Sequence, residues 1–250
     1  RRGVDGNLWI WEGVDYRKSY MIVADVARGD ATDYSAFHIF DIEQCTQVGE
    51  YKGKLSPKDF GNMLVGIASE YNEALLVIEN ANIGWATIEQ VMEREYRNLY
   101  YSATSQMETV ESYMTKYERD KLVPGFTMSA RTRPLVIAKM IEYIREHSVT
   151  IQSKRLMSEM RVFVWKNGKA QAQVRYNDDL LIACATALYV RDTALRLRQQ
   201  GIDLARAQLS SFNNLNAQNK AIMTNVGSQQ NNPYIVDTPG GKEDISWLLK

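Results

Sequence analysis

The sequence predicts an α/β protein, a mixed sheet flanked by helices, and three observations predict it. Three strand-like runs follow one another between Tyr20 and Tyr51. A helix with clear start signals then leads to another short apolar run, and a long apolar helix opens at the paired acids of "NDDLLIACATALY". Strands joined through helices of this length imply crossover connections within one sheet.

The first strand is "YMIVADV", Tyr20–Val26, followed by a turn region rich in Gly and Asp. "SAFHIFD" and "CTQVGEY" continue it as an antiparallel three-strand meander. "SPKDFGNMLVGIASEYN" opens with Ser56 as N-cap, Pro57 at the first helical position and Asp59 three residues after the cap. This crossover helix delivers "ALLVIEN", a short strand ending at Glu79, after which "GWATIEQVMEREY" is a second helix and "NLYYS" a further strand. Past a less regular middle, "RTRPLVIAKMIEYIREHS" reads as a helix with Pro134 near its start and an apolar face through Leu135, Ile137, Ile141 and Ile144. "VFVWKNGKAQAQVRY" is a hairpin turned at Asn167-Gly168. The long helix then starts at Asp178 and Asp179. Beyond about Gly201 the chain is rich in Gln, Asn and Ser; "NVGSQQNNP" and "DTPGG" predict a disordered linker, and "DISWLLK" a short apolar docking end.

The 250 residues, 45% of them hydrophobic, suffice for a real core. No run approaches the ~20 apolar residues that span a bilayer. The opening "RRGVDGNLWIWEG" has no signal-peptide pattern, which predicts an intracellular protein. Cys45, in an expected strand, and Cys184, in an expected helix, suit small buried hydrophobes in a reducing compartment and form no metal motif. The formal net charge is zero, but the charge is segregated: Met21–Thr115 holds 15 acidic and 6 basic residues, Lys116–Arg175 5 and 13. Such a chain can concentrate carboxylates at one site and meet a polyanion with another surface.

Asp25 closes an apolar strand, where a carboxylate costs several kcal/mol unless a cation satisfies it. Glu79 ends the strand after the crossover. The ends of adjacent central strands form the usual site-bearing edge of such a sheet, so Asp25, Glu79 and the Asp178–Asp179 pair can converge. Convergent carboxylates repel one another unless divalent cations hold them ionised, and an all-oxygen donor set selects Mg²⁺ or Mn²⁺. For Asp178 or Asp179 alone, helix capping remains an alternative; the joint placement favours a site.

"MIVADVARGDATDYSAFHIFD", "ALLVIENANIG", "GFTMSARTRPLVIAKMIEYI", "LMSEMRVFVWKNGKAQAQ" and "NDDLLIACATALY" together resemble the C-terminal nuclease domain of the large terminase subunit of tailed bacteriophages, of the myovirus type. The resemblance runs from about Tyr20 to Val190. It implies a ribonuclease H-like fold and an endonuclease that cuts double-stranded viral DNA concatemers during genome packaging, with two Mg²⁺ or Mn²⁺ ions activating water and stabilising the leaving oxygen. By motif, Asp25, Glu79 and one of Asp178 and Asp179 are the metal-binding catalytic triad, with Asp33 of "TDYSA" either an auxiliary ligand or a group that supports the ligands from behind. Many members have His before the paired aspartates; here it is Asn177, and an amide cannot titrate in its place. Lys154, Arg155, Arg161, Lys166, Lys169 and Arg175 then form the natural DNA-facing surface, gripping phosphates without reading bases.

The resemblance also implies a domain plan: residues 1–19 as connection, 20–200 as nuclease, 201–250 as polar linker and tail. Trp9 and Trp11 read as packing residues within that connection. No G-x-x-x-x-G-K-[ST] occurs, so the ATPase of such a machine lies outside this chain. The implied partners are double-stranded DNA, the portal protein and the small terminase subunit, in the host cell cytoplasm, with no membrane. Three competitors are separable. An actin-like kinase needs a second phosphate loop and a Gly-rich adenosine motif, neither of which occurs. A non-catalytic docking module predicts loss of acids that are all present. A Holliday-junction resolvase shares the acidic ligands and differs in binding four-way DNA as a dimer.

Overall fold

Three of the strands expected from the sequence, Tyr20–Asp25, Ser35–Asp41 and Thr46–Gly53, form the antiparallel meander; with Leu8–Ile10 as β1 they are β2, β3 and β4. Helix α1, Pro57–Glu70, crosses over to β5, Leu75–Ile78, which pairs parallel to β2. The sheet order is β1-β4-β3-β2-β5. The computed structural model describes residues 6–29, 34–81, 83–103, 122–166, 169–195, 199, 235–238 and 241–244. The chain divides into two units, Arg1–Arg198 and Gln199–Lys250.

Helix α1 begins as its sequence dictates: the Ser56 hydroxyl accepts from the Asp59 amide at 3.1 Å and Pro57 follows the cap. Next come α2 (Gly84–Glu93), the paired strands β6 (Tyr101–Ala103) and β7 (Leu122–Pro124), α3 (Thr132–Arg145), α4 (Lys154–Arg161), the hairpin β8 (Phe163–Lys166) and β9 (Lys169–Ala172), and a final helix α5 over residues 179–195. Asn167 and Gly168, the expected turn, lie outside the described residues. No helix among the described residues is long and apolar enough to cross a membrane.

Strand alternation sorts the core into two layers. Ile22, Ala24, Phe37, Ile39, Leu76 and Ile78 face α1 and α2, packing on Phe60, Leu64, Ile88 and Val91. Met21, Val23, Phe40, Leu75 and Val77 face the other way, onto Val136 and Met140 of α3, Leu156 of α4 and Leu181, Ala185 and Leu188 of α5. Burying both faces explains why β2 and β5 read as continuous apolar runs.

Several expectations need correction. The buried face of α3 is Val136, Ile137, Met140 and Tyr143, whereas Leu135, Ile141 and Ile144 are exposed. Both sets are apolar, so the composition of the helix alone does not fix its rotation. Cys45 lies in the tight turn before β4 with φ 52°, not in a strand. It is buried, as is Cys184, and both thiols are free. Helix α4 is not evident from the sequence, being eight residues with four charges; Ser153 caps it, accepting from the Leu156 amide at 2.9 Å. Strand β1 likewise escapes the sequence reading, because its three residues give no alternation to read. In the second unit, Ile235–Thr238 (β10) and Gly241–Asp244 (β11) pair antiparallel, so part of "DTPGG" is hairpin rather than disordered linker. "NVGSQQNNP" and residues 245–250 lie outside the described residues.

Candidate metal centre

Period-two alternation carries Met21 and Val23 into the α3–α5 layer and Asp25 with them, at the carboxyl end of β2. On the parallel neighbour, Leu75 and Val77 place Glu79 in the same layer, at the same end. The Glu79 amide donates to the Ala24 carbonyl at 3.0 Å, so the two acids stand on adjacent strands. The Glu79 backbone is held from its other side by Phe126, whose amide donates to Ile78 and whose carbonyl accepts from Asn80, at 2.7 and 2.9 Å. Gly125 permits this approach: its φ is +84°, and a Cβ there would meet the Ile78 carbonyl oxygen at 2.5 Å.

Helix α5 brings the second pair of acids. The Asp178 carbonyl accepts the first helical bond, from Ile182, at 2.8 Å. The Leu181 amide is satisfied by Glu159 of α4 at 3.0 Å. The Asp178 carboxylate meets Arg133 Nη2 at 2.7 Å. Asp179 takes the Lys52 ammonium at 3.3 Å, the Asn177 amide at 3.3 Å and the Tyr34 backbone amide at 3.4 Å. Lys52 also pairs with Glu159 and lies over the Tyr34 ring, 5.0 Å from its centre.

The electrostatics record the convergence. Burial pushes the Asp25 carboxyl well above the usual carboxylate range, and the negative charges of Glu79, Asp179 and Asp178 add to the shift, against a smaller opposing effect of Arg133. Glu79 is raised by burial, partly offset by Arg133. Asp179 is raised by burial and held back chiefly by Lys52. The strands and α5 therefore bring Asp25, Glu79, Asp178 and Asp179 within electrostatic reach of one another. Asp33 lies outside the described residues.

Among the described residues no three Asp, Glu, His or Cys side chains close around a point suited to one ion. The chemistry of the donors does fit divalent metal: every candidate ligand is a carboxylate, and their mutual repulsion at Asp25 is what a hard divalent cation relieves.

A buried polar scaffold fixes the start of α5. His38, fully buried on β3, donates from Nε2 to the Leu180 carbonyl at 2.8 Å; Nδ1 accepts from the Gln47 amide at 2.7 Å. The Gln47 carbonyl oxygen accepts from the Gln152 and Ser153 amides at 2.9 and 3.0 Å, which fixes that amide's orientation. Glu50, also fully buried, takes Arg155 Nε at 2.7 Å, and Arg155 stacks on Trp9 at 4.4 Å. Arg155 is therefore engaged inside the protein rather than turned to a ligand. Lys154, Arg161 and Arg175 are exposed, while Lys166 and Lys169 face each other across the β8–β9 ladder, their side chains outside the described residues.

Sequence reasoning missed Lys52, Arg133 and Glu159. Lys52 and Glu50 share a face of β4, a weak signal; Arg133 and Glu159 have partners 45 and 22 residues away and no local signature.

Neither a family model nor a curated protein sequence matches the chain. Its fold does have solved counterparts. The large terminase nuclease of thermophilic phage G20c with bound magnesium is 17% identical, with a TM-score of 0.58 over 76% of this chain and 88% of that one. The same nuclease with bound cobalt gives 17% and 0.57 over the same shares. The Thermus phage P74-26 large terminase nuclease domain gives 17% and 0.54 over 74% and 86%. The likeness bears out the expected architecture, a mixed sheet flanked by helices in the ribonuclease H-like manner.

Proposed function

We propose that this chain is a metal-dependent endodeoxyribonuclease, the nuclease portion of a myovirus-type large terminase subunit, cutting double-stranded viral DNA concatemers during genome packaging. The observation that supports it best is the meeting of Asp25, Glu79 and the Asp178–Asp179 pair at one end of one sheet layer, with each charge felt at Asp25. Asp25, Glu79 and one or both of Asp178 and Asp179 would hold two Mg²⁺ or Mn²⁺ ions, with Asp33 as an auxiliary ligand. Bound there, such ions supply Lewis-acid activation of water and stabilise the leaving oxygen.

The chain's own residues do the rest. The sheet fixes Asp25 and Glu79 rigidly, and the His38–Gln47 scaffold fixes the turn that carries the other two acids. Asn177, donating to Asp179, orients that carboxylate without the titration a histidine would bring. Lys154, Arg161, Lys166, Lys169 and Arg175 would grip phosphates without reading bases. We assign residues 20–200 to the nuclease, residues 1–19 to a connection whose Leu8–Ile10 adds the edge strand of the nuclease sheet, and 201–250 to a polar linker and tail. The chain has no P-loop, so ATP-driven translocation belongs to a separate ATPase domain. Portal protein and small terminase subunit are the proposed partners, in the host cell cytoplasm.

Plasmid nicking tests the reading: with Mg²⁺ or Mn²⁺ the wild type should cut, and chelator or Asp25→Asn should abolish cutting. Metal-independent cutting, or an active Asp25→Asn variant, would sink it.

A further inference from the structure

Each of the paired aspartates is already matched to a cation from a distant part of the chain. Arg133, at the start of α3, reaches Asp178 with Nη2 at 2.7 Å while its Nε donates to the Ala170 carbonyl at 3.4 Å. Lys52, on β4, lies 3.3 Å from Asp179 and is also held by Glu159. These are not surface pairs that water averages away: the two cationic side chains are only 34% and 16% exposed, and each has a second protein acceptor. The guanidinium charge also acts on Asp25 and Glu79. A guanidinium or ammonium on a carboxylate oxygen competes with a divalent ion for that oxygen's lone pairs and draws off its negative charge, and a fixed positive charge a few ångströms away repels the ion.

We propose that Arg133 and Lys52 are built-in competitors for the metal centre, holding Asp178 and Asp179 until a divalent ion displaces them, and so setting the ion concentration at which the site fills. The inference rests on the metal-dependent reading of the site and adds its regulation. Arg133 is a positioning residue in this account: its guanidinium orients Asp178 and is exchanged for metal.

Mn²⁺ binding to the full chain, followed by the loss of the free-ion electron paramagnetic resonance signal, tests this without any activity measurement. The wild type should bind Mn²⁺ and Asp25→Asn should lose that binding. Arg133→Gln should bind about tenfold tighter, since one unit of opposing charge is gone, and Arg133→Lys should return to wild-type affinity. Should Arg133→Gln fail to fold, Lys52→Gln is read the same way. If the wild type shows Asp25-dependent binding but the folded Gln variant binds no tighter, the competition is refuted and the nuclease reading stands. An Arg133→Lys variant as tight as Arg133→Gln would refute the charge argument as well. Absence of Asp25-dependent binding in every variant overturns the metal reading, and the competition with it.

Discussion

Replacing Arg155 with Met should destabilise the protein far more than its position on a short charged helix suggests. Glu50 is fully buried, and its close partner is Arg155 Nε at 2.7 Å; Gln47 at 3.5 Å and His38 at 3.9 Å are too distant to replace it. Breaking a buried ion pair from one side costs about 3–5 kcal/mol, because the remaining charge is stranded. The Arg155 side chain is 24% exposed, so some water reaches the pair and the lower end, about 3 kcal/mol, applies. Loss of the stacking on Trp9, at 4.4 Å, adds roughly 0.5–1 kcal/mol. In urea, with a slope of about 2 kcal/mol/M, the midpoint should fall by about 2 M at unchanged slope. Adding Glu50→Gln to Arg155→Met removes the stranded charge and should recover half or more of the loss. A midpoint shift under about 0.5 M, or no recovery in the double variant, would refute the claim that Glu50 is a buried charge dependent on Arg155.

Asp25→Asn and Glu79→Gln should each abolish nicking yet fold; in chelator, Asp25→Asn should melt above wild type, by about 2–4 °C for each kcal/mol of repulsion relieved, and a lower melting temperature would contradict the crowding of like charges. Exposed Lys154 and Arg161 should behave unlike Arg155: alanine at either leaves stability within about 0.5 kcal/mol, weakens DNA binding alike on all sequences and lowers the salt slope by about 0.9. A sequence-selective loss would show that base-edge contacts had been overlooked. Burial lowers the His38 pKa below its ordinary value, so below about pH 6.5 the unfolded chain takes up a proton that the folded protein refuses. The His38 contribution to stability should therefore decline as pH falls from about 6.5 until folded His38 itself titrates, by at most about 1.4 kcal/mol per unit, opposite in sign to the raised carboxyls of Asp25, Glu79 and Asp179. Urea midpoints at two pH values should show a shallower decline in His38→Gln; an equal decline would acquit His38.

The parts of the fold visible in the sequence are those whose cause is local. The caps of α1 and the alternation that puts Asp25 and Glu79 in one layer lie within a few residues of the groups they govern. The same alternation, carried along two parallel strands, makes half of the site legible from residue order alone. The paired aspartates are legible as a helix start and as candidate ligands; what is not legible is that Glu159, 22 residues earlier, rather than Asp178 satisfies the Leu181 amide. Arg155 reads as a surface cation because its partner, Glu50, is 105 residues away. The rotation of α3 cannot be read, since Leu135 and Val136 are equally apolar and only the packing layer distinguishes them. "DTPGG" misleads because turn-forming residues mark hairpins as well as linkers.

The pairing of β2 with β5 has a kinetic consequence. β2 and β5 are the sheet's parallel neighbours, separated by the meander and α1, and α5 joins only from residue 178 onward. Loop-closure entropy makes such distant partners meet after local hairpins have formed. The antiparallel strands can therefore assemble while the acids are still far apart and solvated. Repulsion among them enters when the crossover closes and grows when α5 docks, by which time much of the apolar surface is already buried. A variant that relieves this repulsion should then slow unfolding more than it speeds folding. In a growing polypeptide the cluster of carboxylates is the last thing completed, since its final acids, Asp178 and Asp179, are translated after every strand of the sheet.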